Sequence, residues 1–183
     1  MYWTHNYGEG EESVKVLLLD VRYHRDRPGP ADADVLGDAQ WEWLEEELQK
    51  SEATLNVVVS GIQILHVDHR YEKWEDFPEA RERLLNAAGE AKGRVVFLSG
   101  DRHIGELAKL ERGDDKREFV EVTASGLSHS WEDFPGEMNR YRVGEVYPKK
   151  NFGTMIVDWD EEELALQIRS EMGEIVKEMV VGL

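Results

Sequence analysis

Three short apolar runs, at residues 14–19, 55–59 and 94–98, are separated by two stretches of helical periodicity, and this alternation restricts the chain more than any other feature. Runs of Val, Leu and Phe this short, without polar alternation, suit strands buried on both faces, and such strands need helices to cover them. Between the first two runs, Asp38 is the expected N-cap of a helix, with Trp41, Leu44 and Leu48 recurring on one face and Glu42 and Glu45 to Glu47 mostly turned to water. Between the second and third, residues 78–92 read as another helix, with Pro78 in its first turn and Leu84 and Leu85 on the packing side. Strand and helix repeated in this way predict parallel strands joined by right-handed crossovers, which bring the carboxyl ends of all three strands to one edge.

Beyond Asp101 the texture changes. Residues 106–110 and 118–123 flank Gly113, Asp114, Asp115 and Lys116 as a hairpin with a polar loop, and residues 132–150 are irregular. Three further strands, 152–158, 164–169 and 175–181, are separated by Asp/Glu and Gly turns and read as an antiparallel meander. The predicted fold class is therefore α/β, a mixed sheet with two crossover helices followed by antiparallel strands, in a single domain over residues 1–183. The motif Trp74-Glu75-Asp76-Phe77-Pro78 is echoed by Trp131-Glu132-Asp133-Phe134-Pro135, an echo read as coincidence.

The three predicted strand ends present polar groups: Asp20 with Arg22, then Gln63, then Asp101 with His103. Gly100 is expected to make the backbone turn that ends the third strand. A carboxylate and an imidazole two residues apart, in the crevice outside strand carboxyl ends, suit a metal or phosphate site, and metal-assisted hydrolysis is the chemistry they point to. Simpler roles stand beside this one. Asp20 serves equally as a strand cap or an ion partner of Arg22 or Arg25, Gln63 as an amide that orders its loop, and His103 as a surface histidine. The net charge of −17 repels nucleic acid and anionic membranes, so a phosphate site needs local cations, for which Arg22 and Arg25 are candidates. With no cysteine, thiolate metal sites and disulfides are excluded. No apolar stretch is long enough to span a membrane, and the start at Met1 lacks the pattern of a signal peptide, which leaves the compartment open.

Several segments together resemble the alkaline phosphatase D (PhoD-like) metallophosphatases. They are Tyr2-Trp3-Thr4 leading to Gly8, Leu19-Asp20-Val21-Arg22 with Arg25, Leu36-Gly37 with Gln40-Trp41 and Trp43-Leu44, Ser60-Gly61-Ile62-Gln63, Trp74 to Pro78, Ser99-Gly100-Asp101-Arg102-His103 with Glu106, Thr123 to Gly126, and Asn151-Phe152-Gly153 with Asp158-Trp159. The resemblance covers only the C-terminal half of that family, and it implies half of a four-layered αββα sandwich. It further implies a hydrolase acting on phosphate mono- or diesters through a binuclear metal centre, calcium with iron foremost, and manganese, magnesium or zinc as substitutes. Asp101 is then a metal ligand, and His103 a second ligand, a donor to the phosphate or the acid that protonates the leaving group. Arg22, Arg102 and His129 are then substrate contacts, and Asp20, Gln63 and Glu106 support them. Arg102 stands where many members carry an uncharged residue. The family's N-terminal metal motifs have no counterpart here, so the site is expected to be incomplete. The sheet face that would meet the other half is expected to be covered by the chain's own C-terminal strands, by a second copy, or by the N-terminal half as a partner. The alternative class is a non-catalytic binding module that uses the acidic surface and its tryptophans to dock a basic partner.

Overall fold

The computed structural model describes residues 1–113 and 117–183. Its elements run β1 (Trp3–Tyr7), β2 (Val14–Leu18), α1 (Asp38–Gln49), β3 (Leu55–Val59), a single 3-10 turn (Trp74–Asp76), α2 (Pro78–Glu90), β4 (Arg94–Ser99), β5 (Gly105–Arg112) and β6 (Arg117–Ala124), followed by β7 (Asn151–Asp158), β8 (Glu163–Ser170) and β9 (Ile175–Gly182). The first six strands form one sheet in the order β1-β2-β3-β4-β6-β5, and the last three form a second. Strands β2, β3, β4 and β6 are parallel, while β1 and β5 are antiparallel edges. The mixed sheet, the two crossover helices and the antiparallel meander are as the sequence predicts. The parallel platform is four strands wide rather than three. The second arm of the predicted hairpin, β6, pairs with β4 as well as with β5, because its apolar run Phe119, Val120 and Val122 is buried on both faces. Of the predicted loop 113–116, all but Gly113 lies outside the described residues.

Strand β4 explains the layering. Val95 and Phe97 point to the helices, where they join Trp41, Leu44, Leu48, Leu84 and Leu85, while Val96 points the other way onto Leu164, Leu166 and Ile168 of β8. Alternate side chains of a strand leave on opposite faces, so one apolar run contributes to two cores. The result is three layers, with helices, the six-stranded sheet and the three-stranded sheet in that order. The C-terminal strands thus cover much of the face expected to need a partner. They do not reach its far side, where Trp3 and Tyr7 of β1 and Leu18 of β2 stay exposed. Among the described residues no helix is long and apolar enough to cross a membrane.

Two local expectations are corrected. Asp38 is the first residue of α1 rather than its N-cap; Gly37 holds that position at a φ of 75°, and no side chain caps the helix. Gly100 has no left-handed backbone, and that conformation falls instead on its neighbours. The two Trp-Glu-Asp-Phe-Pro motifs make the same turn, the Phe77 amide donating to Trp74 at 2.9 Å and the Phe134 amide to Trp131 at 3.1 Å, although Trp74 is buried and Trp131 half-exposed.

Where α2 gives way to β4, Gly93 is pressed against the opposing backbone, and a Cβ there would fall well inside contact distance of the carbonyl oxygens of Ala53 and Thr54. Backbone cannot move aside cheaply. Gly93→Ala is expected to destabilise the fold by about 1–3 kcal/mol, measured by urea unfolding, and an unchanged midpoint would show that the turn relaxes freely.

Candidate functional site

Three loops leave the carboxyl ends of β2, β3 and β4 on one edge and are tied together there by backbone bonds. The Leu19 amide donates to the Val59 carbonyl at 2.9 Å, and the Ser60 amide to the Leu98 carbonyl at 2.8 Å. Gln40 of α1 fixes the first loop: its side-chain amide donates to the Asp20 carbonyl at 2.9 Å and its oxygen accepts from the Asp20 amide at 2.8 Å. The Asp20 carboxylate accepts the backbone amides of Arg22 at 3.1 Å and Tyr23 at 3.0 Å. It therefore performs the capping role, folding the chain so that Arg22 projects toward the β4 loop.

Asp101 and His103 both sit on that loop with their side chains exposed. Arg22 reaches Asp101 at 3.6 Å and Glu72 at 2.5 Å, and the other oxygen of Glu72 takes Arg25. The His103 ring meets the His129 ring edge-on at 4.9 Å, and the Trp131 amide donates to the His103 carbonyl at 2.9 Å, which anchors the 129–131 segment to the loop. The rim therefore gathers Arg22, Arg25, Asp101, His103 and His129, with Glu72 bridging both arginines. Only three non-glycine residues among those described have a positive φ, and two of them are Asp101 (70°) and His103 (56°). Such backbone is uncommon for side-chain-bearing residues and concentrates where a fold must aim a group.

Arg102, Gln63 and Glu106 lie behind the rim. Because Asp101 and His103 are turned outward, Arg102 between them is turned inward and only 5% exposed. Its guanidinium bonds Glu137 at 2.7 Å and lies under the Tyr71 ring at 4.4 Å. Gln63 is 2% exposed and does not sit on the rim as expected, because all of its amide is consumed inside. Its nitrogen donates to Thr123 at 2.8 Å and Glu106 at 3.1 Å, and its oxygen accepts from His69 at 2.9 Å. Glu106 also accepts from Asn139 at 2.8 Å and Arg142 at 2.5 Å, so its partners are these buried groups.

Two imidazoles complete this interior network. His69 donates from Nε2 to Gln63, and its Nδ1 accepts the Tyr71 amide at 3.0 Å, which leaves no lone pair for a second proton. Burial and the neighbouring His66 hold it down to about 2. Burial likewise holds His66 down to about 4. Glu72, His69, Tyr71 and Trp131 were not singled out in sequence as groups near the rim, since the loops that carry them show no periodicity.

Asp101 and His103 offer oxygen and nitrogen donors of the types that hold divalent cations. Among the described residues, however, no group of three or more His, Asp or Glu side chains converges as a cation site. These donors alone do not fit a binuclear centre.

The family described as PhoD-like phosphatase matches residues 1–175. A solved structure titled "Structure of PhoD" is similar in fold, with a TM-score of 0.74 at 18% identity over 99% of this chain. The chain spans 40% of the length of that protein. No curated protein matches it.

Proposed function

Because the chain belongs to the PhoD-like phosphatase family, we propose that its rim supplies one side of a phosphate-ester-hydrolysing site whose remaining groups come from outside these 183 residues. The carrying observation is the pair Asp101 and His103, both in left-handed backbone at the carboxyl edge of the parallel strands, with Arg22 at 3.6 Å from the carboxylate. Arg22 and Arg25 are the cations of the rim in a chain of net charge −17, balanced by Glu72 and Asp101, and a guanidinium fork matches phosphate oxygens. For those arginines to grip a phosphate, Glu72 must release them, so Glu72 holds the place of the anion until substrate arrives.

In hydrolysis a water oxygen bonds to phosphorus as the bond to the ester oxygen breaks, and the departing alkoxide needs a proton. His103, with the His129 ring against its own, is the group that gives it in this reading. Asp101 is the carboxylate this chain would offer toward a metal pair, calcium with iron by the resemblance, whose other ligands would come from outside these residues. Substrates are mono- or diesters of phosphate.

The test uses the full-length protein supplied with Ca²⁺, Mn²⁺ or Fe³⁺ and chromogenic phosphate mono- and diesters. Turnover that falls at least about 100-fold in Asp101→Asn, with an unchanged circular dichroism spectrum, is the expected result. Full turnover in the variant would overturn the role of Asp101. No turnover with any metal would favour the non-catalytic binding module.

A further inference from the structure

Beside the rim lies a cleft of about 410 Å³, lined in part by His69, Arg70, Tyr71, Trp131 and Met138. Tyr71 and Trp131 form its aromatic wall, and Asp68 and Glu137 line it as well. The Tyr71 and Trp131 rings meet edge-on at 5.7 Å, and Phe134 packs against Trp131 at 5.1 Å. Below them the buried Arg102 guanidinium is 4.4 Å from the Tyr71 ring centre and 5.8 Å from that of Trp131, which fixes both rings through cation–π contact. Arg102 is itself locked by Glu137, so the rings rest on a rigid base rather than on loop backbone alone. At the mouth, Arg70 and Met138 are exposed, one a cation and the other a polarizable side chain that adapts to flat rings.

The cleft and the rim share covalent structure. Arg102 falls between Asp101 and His103, and the 129–131 segment carries His129 against the His103 ring at one end and Trp131 into the cleft at the other. An organic substituent on a phosphate gripped by Arg22 and Arg25 would therefore have Tyr71 and Trp131 as its nearest aromatic surface, one residue behind the rim.

We propose that the Tyr71–Trp131 cleft is a binding site for the alcohol portion of the substrate, and that this portion is a flat aromatic group, as in aryl or nucleoside phosphate esters. The assignment depends on the phosphate-ester role of the rim. A pair of ring faces and edges held by a buried cation rewards stacking with a π-system, whereas a short alkyl or polyol group gains little there.

The experiment compares phenylphosphonate with methylphosphonate, which cannot be hydrolysed and differ only in the ring. Both are titrated calorimetrically into the full-length protein with Ca²⁺ and Fe³⁺ present. Phenylphosphonate is expected to bind roughly tenfold more tightly, the size of one stacking contact. Trp131→Ala is expected to remove that preference while leaving methylphosphonate affinity within about twofold. Met138→Ser, at an exposed position that folding does not need, is expected to reduce it in part. Equal affinities for the two phosphonates in the unaltered protein would overturn the aromatic cleft and leave the rim's role standing. Binding of neither would overturn both.

Discussion

Glu106→Ala is expected to lower stability by about 3–5 kcal/mol, the cost of leaving a buried charge without its partner. Glu106 is 1% exposed and accepts hydrogen bonds from Arg142, Asn139 and Gln63. Truncation strands the Arg142 guanidinium, whose Nη2 already lacks a partner, and frees the amide that holds His69. For a chain of this size the melting temperature should fall by roughly 10 °C. Glu106→Gln keeps the shape and one acceptor but turns an amide nitrogen toward the amide nitrogen of Gln63, so an intermediate loss is expected. A shift below about 2 °C in the alanine variant, read by thermal circular dichroism, would mean that water replaces the carboxylate at little cost.

Stability is expected to start falling below about pH 6.5, before the surface carboxylates take up protons. His66 and His69 are neutral in the folded state, with values of about 4 and about 2 against an ordinary 6.5. As pH falls below about 6.5 the unfolded chain takes up protons that the folded one refuses, so stability drops with pH. The contribution is fully present above 6.5 and is lost down through the folded values. Each imidazole costs at most about 1.4 kcal/mol per pH unit, and halving this for residual solvent screening gives a combined loss of roughly 3 kcal/mol between pH 7 and 4. Asp68, held down to about 2 by Arg140, adds to the loss at still lower pH. Glu121 opposes it, since burial pushes its carboxyl up and favours the protonated folded form. Urea midpoints measured from pH 7.5 to 4.5 should fall steadily, and His66→Leu should flatten the slope. Midpoints independent of pH down to 5 would mean that both rings are protonated in place.

The core was legible because it depends on local periodicity. Val95, Val96 and Phe97 form a continuous apolar run only if both faces are buried, and Trp41, Leu44 and Leu48 recur only if one helical face is. The resemblance on Asp101, Arg102 and His103 likewise picked out the loop that carries the rim. The interior behind the rim was less legible. Gln63 and Glu106 could equally have faced water in sequence, and their partners His69, Asn139 and Arg142 come from loops with no repeating pattern. Strand β1 is not legible because Trp3–Tyr7 carries no apolar run and is exposed at four of its five positions along the sheet edge.

The sequence by itself determined which segments become strands and helices, since burying apolar side chains at a fixed spacing is a property of the chain alone. It determined also that a carboxylate and an imidazole would stand at the end of the third run. Only the tertiary structure decided that Arg102 turns inward beneath Tyr71, that Gln63 leaves the rim for a buried network, and that Trp131 joins His103. Those outcomes depend on which distant groups are near enough to satisfy a hydrogen bond or a charge, and that is set by packing rather than by spacing along the chain.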